Sequence, residues 1–259
     1  MSKSNIRGAH MRSRLVVGNW KMQGTVPVIE KLATDLAVAE LPSDGEVAVC
    51  PGFLHFSLAQ RILANSSIVL GAQDCAPEPG LGALTGEVSA EQLLEMGCRY
   101  VLIGHSERRT ILGETEKTIA QKFKCALSRG LTPILCVGES LEQRNEGLTL
   151  SVIKAQVMDV LEEVGIASFG AAVIAYEPVW AIGTGLTATA EQAQEVHAEI
   201  RHLLQGRNES IAERIQIIYG GSVKPSNALR LFSMADIDGA LVGGASMNAQ
   251  EFIEICSIL

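Results

Sequence analysis

The sequence predicts an α/β protein, a single closed barrel of eight parallel strands that alternate with helices. Three observations predict this fold. Eight short apolar, β-branched runs recur along the 259 residues, helical patterns separate them, and no shift in composition marks a linker. Runs that are apolar without alternation are typical of strands covered on both faces. Eight such units in about 250 residues is the usual size of a (β/α)8 barrel.

The predicted strands are spaced evenly along the chain. They cover residues 14–20, 46–51, 67–74, 99–106, 132–139, 171–178, 215–222 and 238–246. A doubly wound open sheet is the alternative fold, and it normally has a GxGxxG loop after the first strand. The corresponding stretch here, "VVGNWKMQG" (16–24), has no such loop. This difference favours the barrel.

The intervening helices carry their own start and stop signals. The segments 89–97 and 189–206 begin with "SAEQ" and "TAEQ", the spacing of a capping box, and each ends at a glycine. Segment 115–130 places an apolar face at helical spacing and also ends at a glycine. His197 lies beside the apolar face of segment 189–206, where we expect it to pack rather than to bind a ligand.

Composition narrows the function. The net charge of −8 argues against general nucleic-acid binding, which needs a basic surface. No run of about 18 apolar residues predicts a membrane span, and no signal peptide precedes the first strand. We therefore expect a cytoplasmic protein with one catalytic domain over residues 12–259, preceded by a polar leader, residues 1–11, that is disordered or non-native.

The cysteines and histidines show no metal-binding pattern. The six cysteines include no CxxC pair, and the five histidines have no HxxxH spacing. We expect free, buried thiols in a reducing compartment and no zinc site.

Polar residues collect at the predicted carboxyl ends of the strands, where the active sites of such barrels lie. In chain order these are Asn19 and Lys21, His105 and Glu107, Cys136 and Glu139, Glu177, "YGGS" (219–222) and "GGAS" (243–246).

Six motifs then identify a family. They are "GNWKM" (18–22), "YVLIGHSERR" (100–109), "ILCVGE" (134–139), "AYEPVWAIGTG" (175–185), "IIYGGSV" (217–223) and "LVGGAS" (241–246). Over roughly residues 14–255 the chain resembles the triosephosphate isomerase family. The resemblance implies interconversion of dihydroxyacetone phosphate and D-glyceraldehyde 3-phosphate through an enediolate, in glycolysis and gluconeogenesis. It implies no cofactor and no metal.

The resemblance also implies roles at the reacting carbons. Glu177 is similar to the family's base and His105 to its neutral electrophile, both known features of these enzymes. Lys21 resembles the cation beside the oxyanion, with Asn19 in the same pocket. Glu107 resembles the second carboxylate, near His105 and Lys21. The chemistry agrees, because removing a weakly acidic proton next to a carbonyl needs a placed base and groups that stabilise an enolate.

The resemblance also implies which residues bind the substrate phosphate. The backbone amides of Gly183, Ser222, Gly243 and Gly244 resemble those that hold the substrate phosphate. Glycines let backbone N–H groups approach a phosphate dianion closely, which agrees with this assignment.

A lid follows the base. By resemblance, residues 178–180 form its first hinge, residues 181–185 its tip and residues 186–188 its second hinge. Closure of this lid would exclude water. The chain departs from the family at Leu186, where a lysine is common, and at Gln23, where asparagine is usual. We expect Leu186 to affect the rate of lid closure and not the chemistry.

The segment 75–87 is long for a loop between a strand and a helix, at about 13 residues against the usual 2–6. In the family the matching loop inserts into a second subunit and supports that subunit's Asn19 and Lys21. The resemblance thus implies a homodimer with Thr85 at the contact. The alternative is a long surface loop.

Four residues near the site are expected to be structural. We expect Cys136 to be a packed thiol, Glu139 an ion-pair partner, and Arg108 and Arg109 partners of carboxylates at the rim or interface.

The sequence disfavours two other functions. A Schiff-base aldolase would need a lysine at the end of the sixth or seventh strand, where the sequence has Glu177 and Tyr219. A catalytically silent barrel used for binding is disfavoured by the intact set of Asn19, Lys21, His105 and Glu177.

Overall fold

The computed structural model describes residues 12–182 and 187–259. The predicted leader, residues 1–11, lies outside these ranges. Gly183, a predicted phosphate contact, and Leu186, in the predicted second lid hinge, also lie outside them.

Within the described residues, eight parallel strands form a closed barrel in the order β1 to β8, which confirms the predicted fold. The first and last strands close the barrel by pairing Leu15 with Gly239 through Gly18 with Val242. The strands are β1 Arg14–Asn19, β2 Gly45–Cys50, β3 Val69–Ala72, β4 Cys98–Ile103, β5 Thr132–Val137, β6 Val173–Tyr176, β7 Gln216–Tyr219 and β8 Gly239–Val242.

Helices on the outside of the barrel connect the strands. In the described ranges they are α1 Val26–Ala37, α2 Phe56–Leu63, α3 Ala90–Glu95, α4 Ser106–Thr110, α5 Glu116–Ser128, α6 Leu141–Asn145, α7 Thr149–Val164, α8 Ala190–Gln205, α9 Glu209–Arg214, α10 Pro225–Phe232 and α11 Ala249–Cys256. The two predicted capping boxes are confirmed at the starts of α3 and α8. A third, Ser140 with Gln143, starts α6 and was not predicted. No helix in the described part of the chain is both long and apolar enough to cross a bilayer.

Each strand is buried on both faces, as its continuous apolar run predicted. Leu15 and Val17 point into the barrel and pack with residues such as Leu102 and Ile134. Val16, between them, packs outward into the layer between strands and helices. Burial of side chains on both faces explains why the strand sequences do not alternate.

The predicted structural roles of the thiols and of His197 are confirmed. All six cysteines lie in the described range, and all are free and buried. His197 on α8 is fully buried, and its Nδ1 lies 3.1 Å from the carbonyl oxygen of Asp236.

Candidate active site

The carboxyl ends of the strands surround a cavity of about 320 Å³. It brings together the predicted residues Asn19, Lys21, His105, Glu177, Ser222, Gly243 and Gly244. Glu107 does not line the cavity but contacts it through Lys21. These side chains come from β1, β4, β6, β7 and β8, so the closed sheet places them on one rim.

Glu177 lies directly after β6 and is only 1% exposed. Its N–H donates to the carbonyl of Val137 on β5 at 2.7 Å, which orients the residue. Its Oε1 lies 2.8 Å from Nε2 of His105, and its Oε2 accepts the N–H of Ser106 at 2.9 Å. Both carboxylate oxygens are therefore held on the floor of the cavity.

Two glycines make room for this carboxylate. A Cβ on Gly138 would lie 1.8 Å from the backbone oxygen of Glu177, and a Cβ on Gly220 would lie 2.8 Å from its Cγ. Gly220 lies in the motif "YGGS" beside Ser222, a predicted phosphate contact. For Gly220 the structure shows a different requirement, close approach of β7 to the Glu177 side chain.

His105 caps the amino terminus of α4. Its Nδ1 accepts the N–H of Glu107 at 3.3 Å, so Nδ1 carries a lone pair and the ring donates from Nε2 to Glu177. This hydrogen-bond pattern is that of a neutral imidazole, which agrees with the role implied by the resemblance.

The two buried groups shift each other's titration. Burial lowers the pKa of His105, but the Glu177 carboxylate outweighs burial and raises that pKa above its ordinary value. Burial raises the pKa of Glu177, and the His105 ring and the Ser106 N–H outweigh it and lower that pKa. The raised pKa of His105 thus depends on its contact with Glu177. If that carboxylate turns towards a substrate, burial and the nearby Lys21 still lower the pKa of the ring.

Lys21 is held in place from several directions. Its N–H donates to Oδ1 of the buried Asn19 at 2.9 Å, and its carbonyl accepts from Nε2 of Gln73 at 2.7 Å. Its Nζ lies 2.5 Å from Oε1 of Glu107, and Oε2 of the same carboxylate lies 3.5 Å from Nδ1 of His105. The predicted neighbourhood of Glu107, His105 and Lys21 is confirmed.

Sequence reasoning missed Gln73 and Ser106. Gln73 follows β3 directly, and its position at a strand end was the signal that could have identified it. Ser106 lies inside the quoted motif "GHSERR", but nothing local shows that its backbone N–H meets Glu177.

The opposite side of the cavity is formed by backbone. A Cβ on Gly244 would enter open space, and one on Gly243 would lie 3.4 Å from Cε of Lys21. Gly243 and Gly244 therefore place no side chain between this part of the rim and the Lys21 side chain. Gly183, the fourth predicted phosphate contact, lies outside the described residues.

The predicted first lid hinge contacts the segment that follows β5. Residues Val179–Ala181 form a 3-10 turn, and the Val179 N–H donates to the carbonyl of Glu139 at 3.1 Å. The buried Glu139 carboxylate accepts from Tyr176 Oη at 3.1 Å and from Trp180 Nε1 at 2.9 Å, and it pairs with Arg144 at 3.3 Å. The predicted structural role of Glu139 is confirmed.

The other structural expectations are also met. Burial raises the pKa of the Cys136 thiol well above its ordinary value, as expected for a packed group and not a nucleophile. Arg108 pairs with Asp74 at 2.9 Å, and Arg109 pairs with Glu116.

The fold and this site define a class: a (β/α)8-barrel enzyme whose acid–base groups lie at the carboxyl ends of its strands. Residues 14–259 match the family model described as triosephosphate isomerase. Proteins named triosephosphate isomerase from Hydrogenovibrio crunogenus and Pseudomonas putida are 56% and 53% identical to this chain, and each alignment covers 95% of this chain and 98% of the relative. The chain belongs to the triosephosphate isomerase family.

Proposed function

We propose that this member of the triosephosphate isomerase family interconverts dihydroxyacetone phosphate and D-glyceraldehyde 3-phosphate with Glu177 as the base and His105 as the electrophile. The observation that supports this proposal most is the 2.8 Å contact between Glu177 Oε1 and His105 Nε2 at the base of the cavity. A carboxylate and an imidazole at this separation can act on a carbon and on the oxygen bonded to the neighbouring carbon.

The reaction is a proton transfer in two halves. Glu177 removes a proton from C1 of the ketose, and the C–H electron pair becomes the double bond of an enediolate while the C2 carbonyl oxygen becomes negative. His105 donates from Nε2 to that oxygen and takes up the proton of the O1 hydroxyl. The protonated Glu177 then returns its proton to C2, which gives the aldose.

Lys21 stabilises the charge that develops on oxygen. Its ammonium lies at the cavity and is oriented by Glu107, with Asn19 holding its backbone. A cation fixed before the reaction stabilises an oxyanion without reorganising during the step.

We assign the phosphate group to the backbone amides of Gly183, Ser222, Gly243 and Gly244. The open space at Gly244 and the nearby Lys21 side chain support this assignment. Closure of the lid that follows Glu177 would shield the enediolate from water.

The same proposal includes a homodimer. Met22 after β1, Leu54 after β2, and Leu81 and Leu84 after β3 are exposed large apolar side chains of the single chain, Met22 and Leu54 to 99% and 95%. They belong to three neighbouring strand ends, and exposed apolar side chains gathered in one region mark an interaction surface. Thr85 is exposed beside them. A second copy that covers this surface would also contact the loop that carries Lys21.

We also place the protein in the cytoplasm. The six free thiols suit a reducing compartment, where the triose phosphates of glycolysis are found.

The test measures isomerisation in both directions by coupled assays that follow the absorbance of NADH. It also measures deuterium uptake from D2O. The wild type should isomerise both substrates and introduce deuterium at the reacting carbon.

Glu177→Asp, which retracts the base by about one methylene, should lower kcat by about 10²–10³-fold with a small change in KM. Glu162→Asp on α7, an exposed carboxylate outside the cavity, is the control. Wild-type turnover by Glu177→Asp would overturn the assignment of the base.

A further inference from the structure

The cavity has two charged side chains that the mechanism above does not use. Its lining includes Lys21, Glu177, Lys224 and Glu251. Lys21 is paired with Glu107, and Glu177 with His105. Lys224 and Glu251 are exposed, and within the described residues neither forms an ion pair.

Both residues belong to the lining of the cavity and are exposed to solvent. Lys224 lies two residues after Ser222 and directly precedes α10. Glu251 lies in the first turn of α11, shortly after the 3-10 turn Gly244–Met247. They therefore border the same rim of backbone that the proposed function assigns to the phosphate group.

Their charges act in opposite directions on an anion. The whole chain carries a net charge of −8, so its overall field repels a phosphate dianion. A cation at the mouth of a concave site raises the local concentration of anions, and a carboxylate there lowers it. Lys21 is paired with Glu107, whereas Lys224 is the lysine of the described lining without a carboxylate partner.

We propose that Lys224 is a specificity-determining residue that attracts the phosphate group of the substrate into this cavity, and that Glu251 opposes it. The inference rests on the proposed function, which identifies the substrate as a phosphate ester. The interaction is electrostatic and acts at the cavity mouth, so it affects capture of the anion and not the proton-transfer step.

The test compares Lys224→Gln, Glu251→Gln and Lys224→Arg at low and high ionic strength. At about 0.02 M salt, kcat/KM should fall about 3–10-fold in Lys224→Gln and rise by a similar factor in Glu251→Gln, because a unit charge in the lining changes the local concentration of a phosphate dianion. At about 0.5 M salt both changes should shrink below about twofold, since the screening length is then only a few ångströms. Lys224→Arg, which keeps the charge, should resemble the wild type, and kcat should not change.

Two further measurements isolate the anion. At low salt, the dissociation constant of inorganic phosphate, measured by calorimetry, should rise in Lys224→Gln and fall in Glu251→Gln. Both shifts should shrink at high salt. The kcat/KM for D-glyceraldehyde, which lacks a phosphate group, should be the same in all variants.

Matched controls come from α7. Lys154→Gln and Glu162→Gln change the net charge by the same amounts at exposed positions that do not line the cavity. They should leave phosphate affinity within about twofold of the wild type at low salt, because the field of a distant surface charge is screened.

Three results would overturn the inference. The first is equal phosphate affinity in the wild type, Lys224→Gln and Glu251→Gln at low salt. The second is a shift in phosphate affinity of equal size in the α7 controls. The third is a loss of phosphate affinity in Lys224→Gln that persists at high salt, which would mean that Lys224 stabilises α10 instead. A failure of the proposed function is distinguishable. In that case the wild type would not isomerise triose phosphates, while its phosphate affinity would still respond to the two substitutions.

Discussion

At the scale of single residues, Lys21 combines an unfavourable backbone with a charged side chain at the cavity. Its φ of 50° is the one positive φ at a non-glycine position in the described ranges. A left-handed conformation costs an L residue about 1 kcal/mol or more, and such strain persists where the surrounding structure holds it. Here Asn19 and Gln73 bind the Lys21 backbone N–H and carbonyl.

Lys21→Ala should therefore impair binding and turnover while the fold remains. Loss of the ammonium removes the cation beside the proposed oxyanion and phosphate, so we expect KM to rise and kcat to fall, each by about tenfold or more. Steady-state assays and a thermal melt on the same sample would measure both effects. Lys31→Ala on α1, which removes an exposed lysine paired with Asp35, is the control. Unchanged kinetic constants in Lys21→Ala would remove Lys21 from the site.

At the scale of elements, the predicted lid hinge contacts the buried carboxylate of Glu139, which follows β5. Trp180 Nε1 donates to Glu139, and the Arg144 guanidinium lies 4.6 Å from the centre of the Trp180 ring. Trp180 is three residues from the base, so the position of Glu177 depends on how this turn is held.

Trp180→Phe should lower the free energy of unfolding by about 1–2 kcal/mol, because a buried charged acceptor loses one donor. It should also lower kcat/KM by about 3–10-fold, since small displacements of a base slow its reaction. Chemical denaturation and coupled assays would test these expectations. Phe169→Leu, a change in the core remote from the hinge, would show how far loss of stability alone affects turnover. Wild-type kinetics in Trp180→Phe would mean that the hinge does not position the base.

The packing of α8 against the barrel makes stability depend on pH through His197. Burial lowers the pKa of His197 to about 4. Asp236, shortly before β8, raises this pKa, and Arg201, on α8 itself, lowers it. An unfolded histidine titrates near its ordinary pKa of about 6.5. Between these values the unfolded chain binds more protons than the folded one, so the folded state loses stability as the pH falls.

We expect this group to remove about 3 kcal/mol of stability between pH 6.5 and pH 4, an order-of-magnitude figure from the shift in pKa. His197→Gln should start less stable, because the ring packs on Tyr176 and Tyr219, but its stability should depend less on pH in this range. His202→Gln, at an exposed position of the same helix, is the control. Urea unfolding at several pH values would measure the slopes, and equal slopes in His197→Gln and the wild type would contradict the assignment.

At the scale of the whole molecule, the rim of β1 to β3 carries the apolar side chains proposed to bind a second copy. Thr85→Arg would place a guanidinium in that contact, where burying an unpaired charge costs several kcal/mol. We expect monomers with low activity, because the neighbouring loop would no longer support Asn19 and Lys21.

Sedimentation would measure the mass and a coupled assay the turnover of the same sample. Ala155→Arg, at an exposed position of α7, adds the same charge at another surface and is the control. A dimeric, fully active Thr85→Arg would place the interface elsewhere, and an active monomer would show that the site needs no neighbour.

The sequence by itself determined the barrel, the two predicted capping boxes and the strand ends at which the polar residues meet. These features are local, because apolar runs and capping residues depend on neighbours a few positions away, and parallel strands bring their carboxyl ends to one edge. Six motifs at these ends also predicted the family.

Only the tertiary structure showed which atoms meet: the Ser106 N–H on Glu177, 71 positions away, and Gln73 on the Lys21 carbonyl, 52 positions away. It also showed that Gly138 and Gly220 leave room for Glu177. Such contacts depend on the register and closure of the sheet, and no local pattern of residues encodes the distance between two strand ends.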